Sequence, residues 1–106
     1  MPKYLICGSY TQEGLKGLLK DGGTKRMAAT KQAIESLGAK LEAFYFAYGD
    51  NDAYIIVDSP DSVSVIAGIL IANASGAVKH KTTVLITPEE IDKAVKKTMD
   101  WRPPGQ

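Results

Sequence analysis

The acid–base chemistry open to this chain depends on few side chains, and the first is its single histidine, His80. Histidine transfers protons at neutral pH and also ligates haem iron, so His80 is a candidate catalytic residue. Lys79 and Lys81 flank it. In a regular strand they lie on the face opposite His80, and we expect their charge to keep the imidazole neutral. The alternative is a packed or surface histidine beside lysines that protect an exposed strand edge.

A second group of acid–base side chains lies in the turn Gly49-Asp50-Asn51-Asp52. One of its carboxylates, preferentially Asp52, is a candidate catalytic base or substrate clamp. Aspartate and asparagine also favour turns because their side chains bond the nearby backbone, so a structural role is the alternative. Two carboxylates are too few for a firm calcium or magnesium site. The lone Cys7 excludes a cysteine-based one, so we predict no metal site.

Phenols and one arginine complete the candidate site. Tyr10 and Tyr48 lie at predicted strand ends, where a phenol can reach a ligand. Tyr10 is a candidate hydrogen-bond donor in catalysis, and Tyr48 is a candidate ligand contact. The glycine-rich segment Thr11–Gly23 is predicted to be a bending loop that could close over a pocket. Arg26 follows this segment and is a candidate partner for an anionic group, or else a solvated surface residue.

Composition excludes several classes of protein. The 106 residues fit one domain, which we place at residues 1–101 with a tail at 102–106. The formal net charge of +1 gives no electrostatic reason for a nucleic-acid or anionic-membrane partner. The longest apolar stretch, Val63–Ala72, is too short for a membrane helix, and we identify no signal peptide. We therefore expect a cytoplasmic protein without a bound cofactor.

Periodicity and capping signals predict the elements that position these residues. The predicted strands cover Tyr4–Tyr10, Ala39–Tyr48, Asp52–Asp58 and Ala77–Ile86. The first predicted helix runs from Thr24 to Gly38, and the second begins at Ser59 and is stopped by Gly76. The last helix is opened by a capping box at Thr87 and ends before Arg102. In the second strand, strict alternation places Leu41 and Ala43 on one face, and Phe44 and Phe46 on the other. The continuously apolar run Tyr54–Val57 is typical of a strand buried on both faces.

The second predicted helix is apolar on nearly all sides. Val63, Ile66 and Leu70 belong to one stripe, while Val65 and Ile69 continue the apolar surface around the helix. A helix of this kind is buried nearly all round, which in so small a domain suggests a subunit contact. In the last helix, the apolar residues expected to face inward are Ile91, Ala94, Val95 and Met99.

The order β-α-β-β-α-β with a terminal helix predicts an α+β, ferredoxin-like fold. Such a fold has a four-stranded antiparallel sheet with helices on one face. The other face exposes apolar side chains to water in an isolated subunit. Pairing two sheets face to face would cover them, so we expect a homodimer or a higher homo-oligomer.

The chain resembles the small GYD-domain proteins over about residues 4 to 97. The resemblance is carried by Tyr10-Thr11 with Gly14, by Ala28–Gly38, by Tyr48-Gly49-Asp50-Asn51-Asp52 and the strand after it, by Ser59-Pro60-Asp61, and by Thr87-Pro88-Glu89-Glu90. In the name motif, Gly-x-Tyr-Asp, Gly49 and Asp52 match and Asn51 replaces the usual tyrosine. The resemblance implies a dimeric α/β barrel of the ferredoxin-like group and no established activity.

Three functional hypotheses follow. The first is a homo-oligomeric protein that binds a small apolar or aromatic molecule between the sheet and the segment Thr11–Gly23, with Tyr48 and Arg26 as contacts. The second is a cofactor-free monooxygenase or isomerase, with His80 or Asp52 as the base and Tyr10 as a hydrogen-bond donor. The third is a structural or regulatory oligomerisation module that uses the apolar second helix.

Overall fold

The structure, a computed structural model, describes residues 1–106. Its elements are β1 (Lys3–Tyr10), α1 (Gln12–Asp21), α2 (Gly23–Ser36), β2 (Lys40–Phe46), β3 (Ala53–Asp58), α3 (Ser62–Ala74), β4 (Val78–Leu85) and α4 (Pro88–Ala94). The four strands form one antiparallel sheet in the order β2-β3-β1-β4. This is the ferredoxin-like order, and it confirms the predicted fold class. No helix is long and apolar enough to cross a membrane.

Helices α2 and α3 cover one face of the sheet, α2 against β2 and α3 against β4. The core between helices and sheet is small. Ala39, Ile55 and Val57 form its buried centre, and Ile34 of α2 and Phe44 of β2 pack against it. The two central strands, β1 and β3, therefore form the sheet surface against which any site under the helices would lie.

Helix α1 occupies the segment that sequence reasoning predicted to be a loop, and that prediction was wrong. Thr11 caps α1 by accepting a hydrogen bond from the Gly14 amide, at 3.2 Å. The Thr11 amide also donates to the carbonyl of Ala77, at 3.0 Å, which fixes the start of α1 beside β4. A Cβ built on Gly14 would lie 1.9 Å from that same carbonyl oxygen. The glycine that argued against a helix is therefore what lets the helix approach the sheet.

Within the single subunit, helix α3 is buried on one side only, whereas the sequence predicts burial nearly all round. Val65 is its one buried residue, and Ile69 lies beside it under the helix. Ile66 and Leu70 are 55% and 65% exposed. The helix also begins later than predicted, because Asp61, and not Ser59, accepts the capping hydrogen bond.

Strand β2 contains a bulge between Leu41 and Ala43, which interrupts the predicted alternation. The extra residue, Glu42, places Leu41 on the same face as Phe44 and Phe46. These three residues pair across the strands with the buried positions of β3 and share their face of the sheet. The expected double-sided burial of β3 is not met within the single subunit. Ile55 and Val57 are buried, whereas Tyr54 is 36% exposed on the sheet face that no helix covers.

The C-terminal residues extend away from the body. The capping box of α4 forms as predicted, with Thr87 accepting from the Glu90 amide at 3.1 Å. However, Ile91, Val95 and Met99 are exposed and do not face inward within the subunit. The radius of gyration of 17.1 Å exceeds the value of about 13 Å typical of a compact chain of this length, which reflects this extension.

Candidate functional site

A cavity of about 150 Å³ lies between the sheet and helices α2 and α3. Twelve of the 17 residues that line it are hydrophobic. The apolar lining includes Ile6, Ile34, Ile55, Val57, Val65 and Ile69. A dry apolar cavity of this size holds about one benzene ring. The dimensions and the lining therefore suit a single ring or a branched alkyl group.

Three polar side chains that sequence reasoning selected line this cavity together: Tyr10, Arg26 and His80. Each comes from a different element. Tyr10 is the last residue of β1, Arg26 lies in the first turn of α2, and His80 is near the start of β4. The pairing of β1 with β4 aligns Gly8 with His80 and Tyr10 with Val78, which puts the phenol and the imidazole on the same face of the sheet.

His80 is held closely against β1. A Cβ built on Gly8 would lie 2.6 Å from Cδ2 and 2.7 Å from Cα of His80. Asn73 of α3 holds the backbone of His80, accepting from its amide at 2.8 Å and donating to its carbonyl at 3.1 Å. The Nε2 atom of His80 is buried and has no hydrogen-bond partner. Leaving a buried polar atom of this kind unpaired costs about 1–3 kcal/mol.

The electrostatic environment keeps His80 neutral, as predicted, but for a different reason. Burial lowers the pKa of the imidazole, and the charge of Arg26 lowers it further. Lys79 and Lys81 lie on the opposite face of β4, as expected, and the shift comes from burial and Arg26. The predicted cause was therefore wrong.

Tyr10 also has a perturbed acid–base equilibrium. Burial raises the pKa of its phenol, while the charge of Arg26 opposes this rise and the charge of Asp52 adds to it. The phenol is therefore protonated at neutral pH and can donate a hydrogen bond. Its ring also stacks with Phe46, at a centroid distance of 6.5 Å, which helps to fix its position.

Asp52 does not line the cavity and is hydrogen-bonded to the backbone of β1. Its Oδ2 accepts a hydrogen bond from the Tyr10 backbone amide at 3.0 Å, and its own amide donates to the carbonyl of Gly8 at 2.8 Å. These bonds tie the turn between β2 and β3 to the end of β1. Tyr48 is fully exposed and also lies outside the cavity.

A wider groove of about 510 Å³ adjoins the cavity and shares Tyr10 and Arg26 with it. Helix α1 contributes Gly14, Gly17 and Leu18 to this groove. The cavity therefore continues into a groove beside α1. This is the position that sequence reasoning gave to a closing loop, and a helix occupies it.

Sequence reasoning missed the residues that hold His80 in place. Gly8 is a glycine within a strand, a signal of close approach by another group. Asn73 is the one strongly polar residue in the second half of an otherwise apolar helix. Both signals were readable, but neither identifies its partner. The structure brings together no group of three histidine, cysteine, aspartate or glutamate side chains that could hold a metal ion.

Comparison with known proteins identifies the family. A family model described as the GYD domain matches residues 4–95. A search of curated proteins and a search of solved structures found no match. Because the match covers most of the chain, the chain belongs to the GYD-domain family.

Proposed function

We propose that this protein binds a small, largely apolar or aromatic molecule in the cavity under α2 and α3. The observation that carries the proposal is an apolar cavity lined by Tyr10, Arg26 and His80 among its polar residues. The Nε2 atom of this His80 is buried and has no hydrogen-bond partner. Ligand sites have this composition: mostly apolar walls with a few convergent polar groups. The ring of a ligand fills the apolar part, and a polar substituent bonds to the polar side chains.

The test is a binding titration with a panel of single-ring compounds, followed by NMR of the Tyr10 and His80 side chains. Ala72 lines the cavity from α3, whereas Ala74 is exposed at the end of the same helix. Ala72→Phe should fill the cavity and abolish binding, and Ala74→Phe should bind like the parent. Unchanged binding by Ala72→Phe, or no binding across the panel, would refute the proposal.

The same geometry supports a second candidate, catalysis of proton transfer as in an isomerase or a cofactor-free monooxygenase. The neutral His80 imidazole can accept a proton from an acidic C–H bond of the ligand. The resulting negative charge on the ligand is stabilised by Arg26 and by the Tyr10 hydroxyl. Exchange of that hydrogen with deuterium from D2O, followed by NMR, should be catalysed by the parent protein. Equal exchange by His80→Gln would contradict this role.

We also propose that the protein forms a homodimer or a multiple of dimers, in which open sheet faces pair as in a dimeric α/β barrel. The open face carries the apolar and aromatic side chains Leu5, Cys7, Ala43, Tyr45, Tyr54 and Ile56. Tyr45 is 71% exposed in the single subunit. Apolar patches of this kind are usual at subunit contacts.

Native mass spectrometry of the purified protein should detect dimers or their multiples. Tyr45→Asp should shift the distribution towards monomer, because it would place a charge between paired sheets. Leu19 of α1 is even more exposed and lies away from this face, so Leu19→Asp is the matched control. A parent protein that is monomeric at micromolar concentration would contradict the proposal.

A further inference from the structure

The Arg26 guanidinium is a cation without an anionic partner in the chain. It is partly buried and lines both the cavity and the adjoining groove, so it lies where the two meet. The ion pairs of the structure involve Lys3, Lys16 and Lys25, and none includes Arg26. A partly buried guanidinium is stabilised by a carboxylate or phosphate partner, whose geometry its planar donors match.

No carboxylate lines the cavity beside Arg26. Its charge acts on Tyr10 and His80, and both are uncharged at neutral pH. Asp52 lines neither the cavity nor the groove, and its Oδ2 accepts a hydrogen bond from the Tyr10 backbone amide. The groove also contains Glu13 and Asp21, but each of these has a lysine partner on the helix surface, at 4.0 and 3.9 Å. Among the residues that line the cavity itself, Arg26 therefore carries the one charge at neutral pH, and it is positive.

Hydrogen-bonding capacity at this point also fits an anion. Arginine offers several N–H donors in a planar arrangement that matches a carboxylate. The protonated Tyr10 hydroxyl adds a further donor. A neutral ring would leave the positive charge uncompensated. A ring that carries a carboxylate would compensate it while still filling the apolar cavity.

We propose that the ligand is a small aromatic or branched aliphatic carboxylate, bound with its apolar part in the cavity and its carboxylate on Arg26 and the Tyr10 hydroxyl. This inference rests on the proposed function, since it requires that the cavity hold a small molecule. It adds the chemical class of the ligand and assigns the choice of that class to Arg26.

The test compares ligands that differ only in charge. Benzoate and benzamide, and likewise phenylacetate and phenylacetamide, have nearly the same shape. The parent protein should bind each carboxylate about tenfold more tightly than its amide, because hydrogen bonds to a charged group are about twice as strong as neutral ones. Raising the salt concentration should reduce this ratio, since salt screens a partly exposed ion pair.

Variants of the protein test whether the preference for carboxylates over amides depends on Arg26. Arg26→Gln should bring the carboxylate-to-amide ratio close to one, and Arg26→Lys should keep part of it. Lys31 is exposed on the same helix and lines neither the cavity nor the groove, so Lys31→Gln removes the same charge and should leave the ratio unchanged. Far-UV circular dichroism and the Tyr10 NMR signals would show that each variant is folded.

The outcomes separate this inference from the proposed function. If carboxylates and amides bind equally, or if Arg26→Gln keeps the preference, the inference about Arg26 is wrong and the binding function stands. If neither kind of ligand binds the parent, the inference is wrong, and the binding function is then decided by the wider panel of single-ring compounds. Should Arg26→Gln prove unfolded, the salt dependence of the parent and the Arg26→Lys ratio still decide the question.

Discussion

The close contact between β1 and β4 at Gly8 is a sharp test of the structure around His80. A Cβ at this position would lie 2.1 Å from the Lys79 carbonyl oxygen and 2.6 Å from Cδ2 of His80. Real Cβ atoms are not found at such distances, so Gly8→Ala must separate the two strands or displace the imidazole. The clash involves the backbone as well as the ring, which means that a side-chain rotation alone cannot relieve it.

The expected change in the free energy of unfolding of Gly8→Ala follows from two opposing effects. Overpacking costs about 1–3 kcal/mol, and a clash with backbone atoms belongs at the upper end of that range. Alanine gains about 0.5–1 kcal/mol over glycine in a strand, because the unfolded chain has less conformational freedom to lose. The net loss of unfolding free energy should be about 2 kcal/mol, which corresponds to a fall in Tm of about 8–16 °C for a domain of this size.

Urea and thermal unfolding at one fixed protein concentration would measure this loss. Gly17 of α1 is the matched control, since a Cβ there meets no atom within 4 Å. Gly17→Ala should raise stability by up to about 1 kcal/mol, because alanine is the better helix former. The His80 imidazole signals should shift in Gly8→Ala and not in Gly17→Ala. If Gly8→Ala is as stable as the parent, the described packing of His80 on β1 is incorrect.

Three further predictions concern the groups around the site. The folded-state pKa of His80 lies below its unfolded value, so the folded protein binds fewer protons and its stability should fall as pH drops below about 6.5. His80→Gln should remove this pH dependence of stability. Arg26→Gln should raise the His80 pKa measured by NMR. Asp52→Ala should cost about 1–3 kcal/mol in urea unfolding, since it leaves the last backbone N–H of β1 without its acceptor. Asp50→Ala is the control because that carboxylate is exposed, and an equal loss would contradict the account. Asp61→Ala should cost about 0.5–2 kcal/mol through loss of the α3 cap, and an unchanged urea midpoint would count against that cap.

Helix α1 shows how tertiary contacts override local preference. Its internal glycines, Gly14 and Gly17, each cost about 1 kcal/mol relative to alanine, and this penalty favoured a loop. The cap at Thr11, its bonds to the carbonyls of Gly76 and Ala77, and the close approach of Gly14 to β4 oppose that penalty. Those partners are more than 60 residues away in sequence, so no local window contains them.

The candidate site could likewise be predicted from the sequence only in part. Tyr10, Arg26 and His80 were recognisable from residue type alone, because a lone histidine, a strand-end phenol and a helical arginine are typical site residues. Their convergence on one cavity depended on the pairing of β1 with β4 and on the packing of α2 against the sheet. Tyr48 and Asp52 had equally suggestive types, yet the structure places both outside the cavity.

The sequence by itself determined the type and order of nearly all the elements, and hence the fold class. Those signals are local: the capping box at Thr87 and the glycines that end α2 and α3 act through residues a few positions apart. Only the tertiary structure decided which side of α3 faces the sheet. That helix is apolar all round, so its sequence does not fix the direction of its buried face, and packing against Leu37 and the sheet does. Burial and charge at His80 were likewise decided by neighbours distant in the chain, because electrostatic and packing energies depend on separation in space.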